Sequence, residues 1–407
     1  MPNSANAQVV GVKKFSVTFA NGELSRLELI VVLRKLDIEH RIESYEDSFC
    51  IVETASLAET PRHLGGSFKI GEIVVEAPDE KSFIEKLYKA KLFEWLDEKA
   101  SWGLSLYGIN NNLDVDFVQD IQSIVGGKVR EAGAHKAKKV LPDITSVNEG
   151  VRELSSGIVT EKNVIDTQLL KSRDSLFLAI TVATIPSASF KERDLKRPYQ
   201  DSRISLSPRI ARMLVNLSML NEGQRLLDPF CGTGTILMEA AILNINIMGL
   251  DKDSQKIKGS IHNINWLRST GRISKGVHAK LQRADSRDLR FLGRESIDAI
   301  ATEPILLPTL EWFPSEEEAK EMLLNSFKTY REFLRSAEYV LKRNGAMALV
   351  VPYIRLSTRK KAGFDVMQLL EGINLQMAKM ESLAFPILAR YTQDQKIIRG
   401  VLLLEKP

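Results

Sequence analysis

The chain has 407 residues, of which 44% are hydrophobic and 27% charged, and it carries a formal net charge of +4. This length allows two or three domains, and the composition excludes a disordered or collagen-like chain. Cys50 and Cys231 lack metal-site spacing, no apolar run approaches membrane-helix length, and the N-terminus has no apolar signal core. We therefore expect a soluble, cytoplasmic protein with no metal and no membrane partner, and the mild positive charge hints at a polyanionic one.

The first half of the chain alternates short strands with amphipathic helices, which is typical of α+β folds. The expected strands are 15–19, 48–52, 73–75, 104–108, 140–144, 157–160 and 175–184, and the expected helices are 24–36, 81–96 and 113–125, the last ending at Gly126-Gly127.

The second half shows regular β–α alternation after a polar, basic stretch at 187–206 that we interpret as a linker. A helix over 208–220 should begin with Ser207 as its N-cap. The expected strands are 225–227, 245–250, 279–283, 297–301, 346–351 and 398–404, and the helices between them are 235–243, 254–267 and 315–342. This alternation predicts a Rossmann-like α/β domain with a mainly parallel sheet.

A glycine-rich loop follows the first of these strands and leads into a helix. Gly232 and Gly234 would allow backbone N–H groups to approach a ligand closely. The spacing is G-x-G and Leu237 replaces the third glycine of a dinucleotide fingerprint, while the absence of Gly-Lys-Ser/Thr excludes an ATPase-type phosphate loop. Asp228, at the head of this loop, suits a cationic ligand such as S-adenosylmethionine better than a pyrophosphate.

Two further acids follow the next two strands. Asp251 lies about 20 residues past the glycines, where an acidic side chain can accept hydrogen bonds from ribose hydroxyls. Asp285 follows the third strand and is a candidate for the adenine amino group, with Asp288 as an alternative. Acids at the ends of three successive strands favour cofactor binding over isolated helix caps. The predicted cofactor-binding set is Asp228, Phe230, Gly232, Gly234, Thr235, Asp251, Lys252, Asp285 and Ser286.

The run Asp228-Pro229-Phe230-Cys231-Gly232-Thr233-Gly234-Thr235 resembles the first motif of class I methyltransferases that modify tRNA at guanine N2. The upstream runs 193–198, 206–209 and 214–217 and the downstream run 263–267 are also similar. The resemblance is to the archaeal and eukaryotic THUMP-containing tRNA (guanine-N2) methyltransferases of the D-arm type, and it covers 190–288. Residues 104–108 and 154–159 resemble THUMP signatures more weakly.

This resemblance implies four segments: a ferredoxin-like domain at 1–98, THUMP at 99–186, the linker at 187–206 and the methyltransferase domain at 207–407. It also implies that THUMP binds the acceptor end of tRNA and makes a small activator protein conceivable. The basic residues predicted to contact RNA phosphates are Lys136, Lys138, Lys139, Arg152, Arg193 and Arg197.

The fourth strand ends differently from the family, in which the catalytic motif is Asp-Pro-Pro-Tyr. There the acid and a backbone carbonyl accept hydrogen bonds from the exocyclic amino group, and the aromatic ring stacks on the flipped base. This chain has Thr302-Glu303-Pro304-Ile305-Leu306. The acid position is taken by Thr302 or by Glu303 shifted by one residue, and an aliphatic side chain replaces the ring.

We therefore predict a methyltransferase with Glu303, Thr302 and Pro304 as its catalytic residues, acting on guanine N2 of tRNA. Two alternatives stay open. The altered motif favours a catalytically impaired RNA-binding protein or subunit, and a different methyl acceptor, another nucleic acid or a protein amide, is the third interpretation.

Overall fold

The computed structural model describes residues 11–108, 114–140, 154, 158–159, 164–200, 206–304, 307, 310–380, 385–389 and 394–407. The chain divides into two compact units. The first consists of Met1–Arg26 and Leu36–Ser189, and the second of Leu27–Lys35 and Phe190–Pro407. No helix within the described ranges combines the length and apolarity needed to span a membrane.

The described part of the first unit contains an eight-stranded mixed sheet with the order β2-β3-β1-β4-β8-β7-β5-β6. Its strands are β1 (Lys13–Phe19), β2 (His40–Glu46), β3 (Phe49–Thr54), β4 (Ser67–Ala77), β5 (Ser101–Tyr107), β6 (Lys138–Lys139), β7 (Val164–Lys171) and β8 (Leu176–Thr184). The helices in the described part of this unit are α2 (Glu80–Lys89) and α3 (Val115–Glu131), together with the first residues of α1 (Gly22–Lys35), whose remainder from Leu27 is assigned to the second unit. The predicted α+β character is present, and the sheet runs through both proposed N-terminal domains.

Two helix ends in this unit differ from the prediction. Helix α2 begins at its N-cap Asp79, whose side chain accepts a hydrogen bond from the Ser82 amide at 2.8 Å, but it ends at Lys89 because Ala90 is extended. Helix α3 continues through Gly126-Gly127 to Glu131. A Cβ on Gly126 would lie 2.8 Å from the Trp102 ring, so this glycine permits close packing of helix on sheet instead of ending the helix.

The second unit is built on a larger sheet, nine-stranded over the described residues, with the order β11-β10-β9-β12-β13-β17-β15. Strands β14 and β16 pair with β13 and β17. The strands are β9 (Arg225–Asp228), β10 (Asn246–Asp251), β11 (Ala279–Arg283), β12 (Ile297–Thr302), β13 (Leu341–Arg355), β14 (Lys361–Gly363), β15 (Gln376–Met377), β16 (Ile387–Leu388) and β17 (Ile397–Glu405).

The helices in this part of the chain are α4 (Ser187–Leu195), α5 (Pro208–Leu217), α6 (Thr235–Ile242), α7 (Ser254–Ser269), α8 (Glu316–Val340) and α9 (Val366–Leu370). Four of them were predicted from the sequence, namely α5 to α8, whereas α4 and α9 were not. Ser207 is the N-cap of α5, as expected, and accepts a hydrogen bond from the Arg209 amide. The first part of the proposed linker, 187–206, forms α4.

The strand order indicates at which edge of the sheet a ligand would bind. Strands β9 to β13 are parallel, whereas β17 is antiparallel to β13. The chain runs outward from β9 to β10 and β11, and then returns to β12 on the other side of β9. Ligands in open α/β sheets bind at such a switch point, beyond the carboxyl ends of the strands. Those ends are Asp228, Asp251 and Thr302.

Candidate cofactor and catalytic site

The glycine loop joins β9 to α6 and has a backbone that only glycine accommodates well. Gly232 has φ 50° and Gly234 has φ 84°, both in the left-handed region. The Gly234 amide donates to the Cys231 carbonyl at 2.7 Å, which closes a tight turn. A Cβ on Gly234 would lie 2.2 Å from Ser260 Oγ, whereas a Cβ on Gly232 would enter open space. Gly232 therefore borders room for a ligand.

Asp251 fixes this loop to the neighbouring strand. Its Oδ2 accepts from the Gly232 amide at 3.0 Å, and its Oδ1 accepts from the Asp253 amide at 2.8 Å. Asn263 of α7 donates to the Thr233 carbonyl at 2.8 Å and supports the loop from the other side. Because a carboxylate offers about four lone-pair sites, Asp251 keeps acceptor capacity for ribose hydroxyls.

Asp228 is a buried carboxylate with a strongly perturbed titration. Its Oδ1 accepts hydrogen bonds from Thr302 Oγ1 at 2.6 Å and from the Phe230 amide at 3.2 Å. Burial raises the pKa of Asp228 to about 7, the nearby charges of Asp251 and Glu303 raise it too, and the two hydrogen bonds oppose the shift. A cation placed beside Asp228 would stabilise its charged form.

The end of β12 contributes two side chains with different partners. Thr302 is fully buried and donates to Asp228, as described above. Glu303 Oε1 accepts from Arg399 Nε of β17 at 2.6 Å, and only 11% of the Glu303 side chain is exposed. Burial raises the pKa of Glu303, while the charge and hydrogen bond of Arg399 lower it. Pro304 is buried beside them, and positions 305 and 306 lie outside the described residues.

Arg399 is a residue that sequence reasoning missed. It stands 96 positions after Glu303, in a run of apolar residues on β17 that is otherwise interrupted by Gly400. A single cation inside an apolar strand is the signal that pointed to a buried partner.

The third predicted acid, Asp285, forms an ion pair with a neighbouring arginine. Asp285 Oδ2 contacts Arg287 Nη2 at 2.6 Å, and this ion pair lowers the pKa of Asp285 to about 2. Its side chain is 45% exposed, and the adjacent Ser286 is buried. Lys252 is exposed, and its carbonyl accepts from Arg283 Nε at 2.9 Å. Lys252, Asp285 and Ser286 thus lie just beyond the carboxyl ends of β10 and β11.

Two of the predicted RNA contacts are wrong, because the structure buries them. Arg193 and Arg197 are each only 3% exposed. Arg193 Nε donates to Glu239 of α6 at 2.5 Å, and Arg212 binds the other carboxylate oxygen at 2.7 Å. Arg197 donates to Thr235 Oγ1 at 2.8 Å, at the first residue of the helix that follows the glycine loop. These arginines support α6 and do not form an RNA surface.

The remaining predicted RNA contacts belong to the first unit. Lys136 is exposed and pairs with Glu98 at 2.9 Å. Lys138 and Lys139 form the short exposed strand β6, and Lys139 donates to Gln122. Arg152 lies outside the described residues.

Comparison with known sequences finds methyltransferases. Residues 196–360 match the family model described as UPF0020: RMKL-like, methyltransferase domain. A tRNA (guanine(10)-N2)-dimethyltransferase from Methanothermobacter thermautotrophicus is 32% identical over 235 residues, which cover 55% of this chain and 64% of that protein. A protein of the same name from Methanocaldococcus jannaschii is 26% identical over 218 residues, covering 51% and 54%. The chain thus spans less than two thirds of the length of these curated relatives.

Comparison with solved structures covers nearly the whole chain. TrmN from Thermus thermophilus aligns with a TM-score of 0.57 and 17% identity, over 97% of this chain and 100% of that one. SMU.472, a putative methyltransferase complexed with SAH, aligns with a TM-score of 0.55 and 12% identity, over 97% and 98%. At these identities the likeness shows the fold alone, and it confirms the predicted α/β fold with a Rossmann-like C-terminal half.

Proposed function

We propose that this chain is an S-adenosylmethionine-dependent methyltransferase that acts on the exocyclic N2 of guanine in tRNA. The observation that carries the proposal is the 2.6 Å hydrogen bond from Thr302 to Asp228. This bond joins the end of β12 directly to the head of the glycine loop. Glu303 is the residue after Thr302 and is therefore one residue from this contact with the predicted methyl donor site. The names of the similar proteins support the choice of tRNA and of guanine N2.

The cofactor would be held by the three acidic strand ends. The carboxylate of Asp228 would face the cationic methionyl end, and Asp251 would accept from the ribose hydroxyls. Asp285 and Ser286 would border the adenine. When bound, S-adenosylmethionine supplies a methyl group on a positively charged sulfur, which makes that methyl electrophilic.

Glu303 is the proposed acceptor for the exocyclic amino group. Its free lone pairs would take a hydrogen bond from N2 and so turn the nitrogen lone pair toward the methyl. Thr302 is less suited to this task, because its side chain is fully buried against Asp228 and a neutral hydroxyl is a weaker acceptor than a carboxylate. The catalytic contribution is mainly positioning in line with the donor, with Glu303 available to accept the proton that N2 loses.

The substrate would be held by the first unit, where Lys136, Lys138 and Lys139 are exposed cations on or next to β6. The resemblance supports a ferredoxin-like part at 1–98, a THUMP part at 99–186 and a separating segment at 187–206. It also supports a cytoplasmic enzyme and a small activator protein as a partner. These assignments are part of the proposal.

The test is methyl transfer from labelled S-adenosylmethionine to undermodified tRNA, comparing the wild type with Glu303→Gln. We expect transfer by the wild type and a loss of kcat of about 100-fold or more in the variant, because an amide is a poor proton acceptor. The dissociation constant for S-adenosylmethionine should change less than twofold. Asp298→Asn is the matched control, since Asp298 is a half-buried acid in an ion pair, as Glu303 is, but at the opposite end of β12.

Two outcomes would contradict the proposal. Cofactor binding without transfer by the wild type would favour the second function, an RNA-binding protein with an inactive methyltransferase fold. The altered motif and the closed Glu303–Arg399 pair are the observations in its favour. Failure to bind S-adenosylmethionine at all would overturn the interpretation of the glycine loop itself.

A further inference from the structure

An aromatic and basic surface lies beyond the carboxyl ends of β12 and β13 in the second unit. We call it the Phe313 patch, and it consists of Trp312, Phe313, Arg355, Lys396 and the turn residues 359–361. Trp312 is 52% exposed. Arg355 Cζ lies 5.1 Å from the centroid of the Phe313 ring, and Lys396 Nζ lies 5.4 Å from it. Both distances are in the range of cation–π contacts.

Backbone hydrogen bonds make this patch a built surface. The Ser357 amide donates to the Pro314 carbonyl at 3.0 Å, which joins the turn between β13 and β14 to the segment that carries Trp312 and Phe313. The Arg355 amide donates to the Lys396 carbonyl at 2.8 Å and holds those two cations side by side. The turn itself is closed by the Arg359 amide, which donates to the Leu356 carbonyl at 2.9 Å.

The charge of the patch is predominantly positive. Arg359, Lys360 and Lys361 are consecutive exposed residues at the tip of the turn. The acids closest in sequence are Glu311 and Asp394, which are exposed, Asp365, which accepts from the Met367 amide, and Glu316, which pairs with Lys320 at 2.8 Å and also lies in the field of Lys360. The five cations of the patch face four acids, two of which already have partners. A surface that combines an exposed indole with several cations suits a ligand with flat bases and phosphates.

The patch lies close to the candidate catalytic residue. Lys396 is three residues before Arg399 on the same chain segment, and Arg399 binds Glu303. At roughly 3.3 Å per residue, this is about 10 Å. Arg355 lies six residues beyond Leu349, the partner of Thr302 in the sheet register, or about 20 Å along β13. These spans correspond to a few nucleotides.

We propose that the Phe313 patch binds the RNA segment next to the target guanine, with Trp312 stacking on an unpaired base and residues 359–361 contacting phosphates. This inference rests on the proposed function and deepens it. The family's catalytic motif provides a stacking ring that this chain lacks at positions 305 and 306. The patch places an aromatic ring nearby, on a segment of the chain that the motif does not include.

The first experiment measures equilibrium binding of tRNA by the full chain at several salt concentrations. The variant Arg359→Gln/Lys360→Gln/Lys361→Gln should bind about tenfold more weakly, and the slope of log K against log salt should fall by about 2. The matched control is Lys275→Gln/Lys280→Gln/Arg343→Gln. It removes the same charge from exposed residues near the opposite ends of β11 and β13. We expect the affinity of the control variant for tRNA to fall less than twofold.

The second experiment tests stacking with Trp312→Ala and Trp312→Phe. The alanine variant should bind tRNA about tenfold more weakly, and the phenylalanine variant should regain most of that loss, because base stacking contributes roughly 1–3 kcal/mol per base. Both variants should bind S-adenosylmethionine as the wild type does. That readout separates a local effect on RNA from unfolding of the unit.

The outcomes separate this inference from the proposed function. If the wild type binds tRNA but transfers no methyl, the proposed function fails while the variants still test the patch. Equal losses in the patch and control triples would overturn the inference, as would wild-type failure to bind tRNA. Displacement of tRNA by polyglutamate at equal charge concentration would also overturn it, because it would indicate a surface for acidic proteins.

Discussion

The glycine loop and the end of β12 lie at the same edge of one sheet, but different kinds of contact hold them in place. In the loop, Asp251 accepts from the Gly232 amide 19 positions away, and Asp228 accepts from the Phe230 amide two positions away as well as from Thr302. At the end of β12, Glu303 depends on an arginine 96 positions away. The turn of the first region is therefore determined mainly by local sequence, whereas the second region is determined by strand order. Ligand binding by the loop and chemistry by Glu303 should consequently respond to different substitutions.

The largest expected effect is on the loop, with Gly232→Ala. Gly223→Ala is its matched control, because both glycines have a positive φ and open space at the Cβ position. Both variants should lose about 1 kcal/mol of unfolding free energy, the usual cost of alanine in the left-handed region. Only Gly232→Ala should weaken S-adenosylmethionine binding, by tenfold or more, since its methyl group would occupy the ligand's space.

Isothermal titration calorimetry and urea unfolding check the two halves of this prediction. Equal cofactor affinities for the two variants would show that Gly232 does not border the ligand.

The next effect concerns the other region, with Arg399→Gln. Without the guanidinium, burial alone acts on Glu303, so its pKa should rise further and a larger fraction of the carboxyl should be protonated at a given pH. The acid limb of the pH–rate profile should therefore move to higher pH, and methyl transfer lost at pH 7 should recover as the pH is raised. Arg399→Lys should keep most of the wild-type profile, because it retains the charge.

Lys342→Gln is the control for this variant. It removes an ion pair of the same 2.6 Å length, to Asp298, at the other edge of the sheet. A pH–rate profile for Arg399→Gln that is lower at every pH but unshifted would indicate a structural role for the arginine. Asp228 and Tyr330 are the other titratable groups coupled to Glu303, and their contributions should be unchanged in the Arg399→Lys profile.

The same contrast explains what could be predicted from the sequence. The parallel sheet, the helix beginning at Thr235 and the acids at 228 and 251 were predicted because periodicity and short spacings encode them. Arg193 and Arg197 were assigned to a surface because their segment is polar. Arg193 pairs with Glu239 and Arg197 donates to Thr235, both on an apolar helix about 40 positions away, and such distant buried partners leave no signal in the polar segment itself. Arg399 stands inside an apolar strand, which indicates a buried partner, but nothing in the local sequence identifies that partner as Glu303, 96 positions away.

The smallest expected effect is that of Thr302→Val, which removes a hydrogen bond between the two regions. The hydroxyl that this change removes donates to Asp228 and favours its charged form, and thereby lowers a pKa that burial has raised to about 7. Because the folded pKa is above the unfolded one, protonation of Asp228 stabilises the fold as the pH falls from about 7 toward 4. The loss of unfolding free energy in Thr302→Val should therefore be greatest above pH 8, at about 1–3 kcal/mol, and should be smaller at pH 5.

Urea unfolding at pH 5 and pH 8.5, for Thr302→Val in the wild type and in an Asp228→Asn background, tests this coupling. In the asparagine background the cost of the valine should no longer depend on pH, because position 228 no longer titrates. A pH-independent cost in both backgrounds would mean that the hydroxyl does not act on the charge of Asp228. The end of β12 and the glycine loop would then be neighbours without electrostatic coupling. A cost that vanishes only where Asp228 is protonated would instead identify Thr302 as the connection between the two.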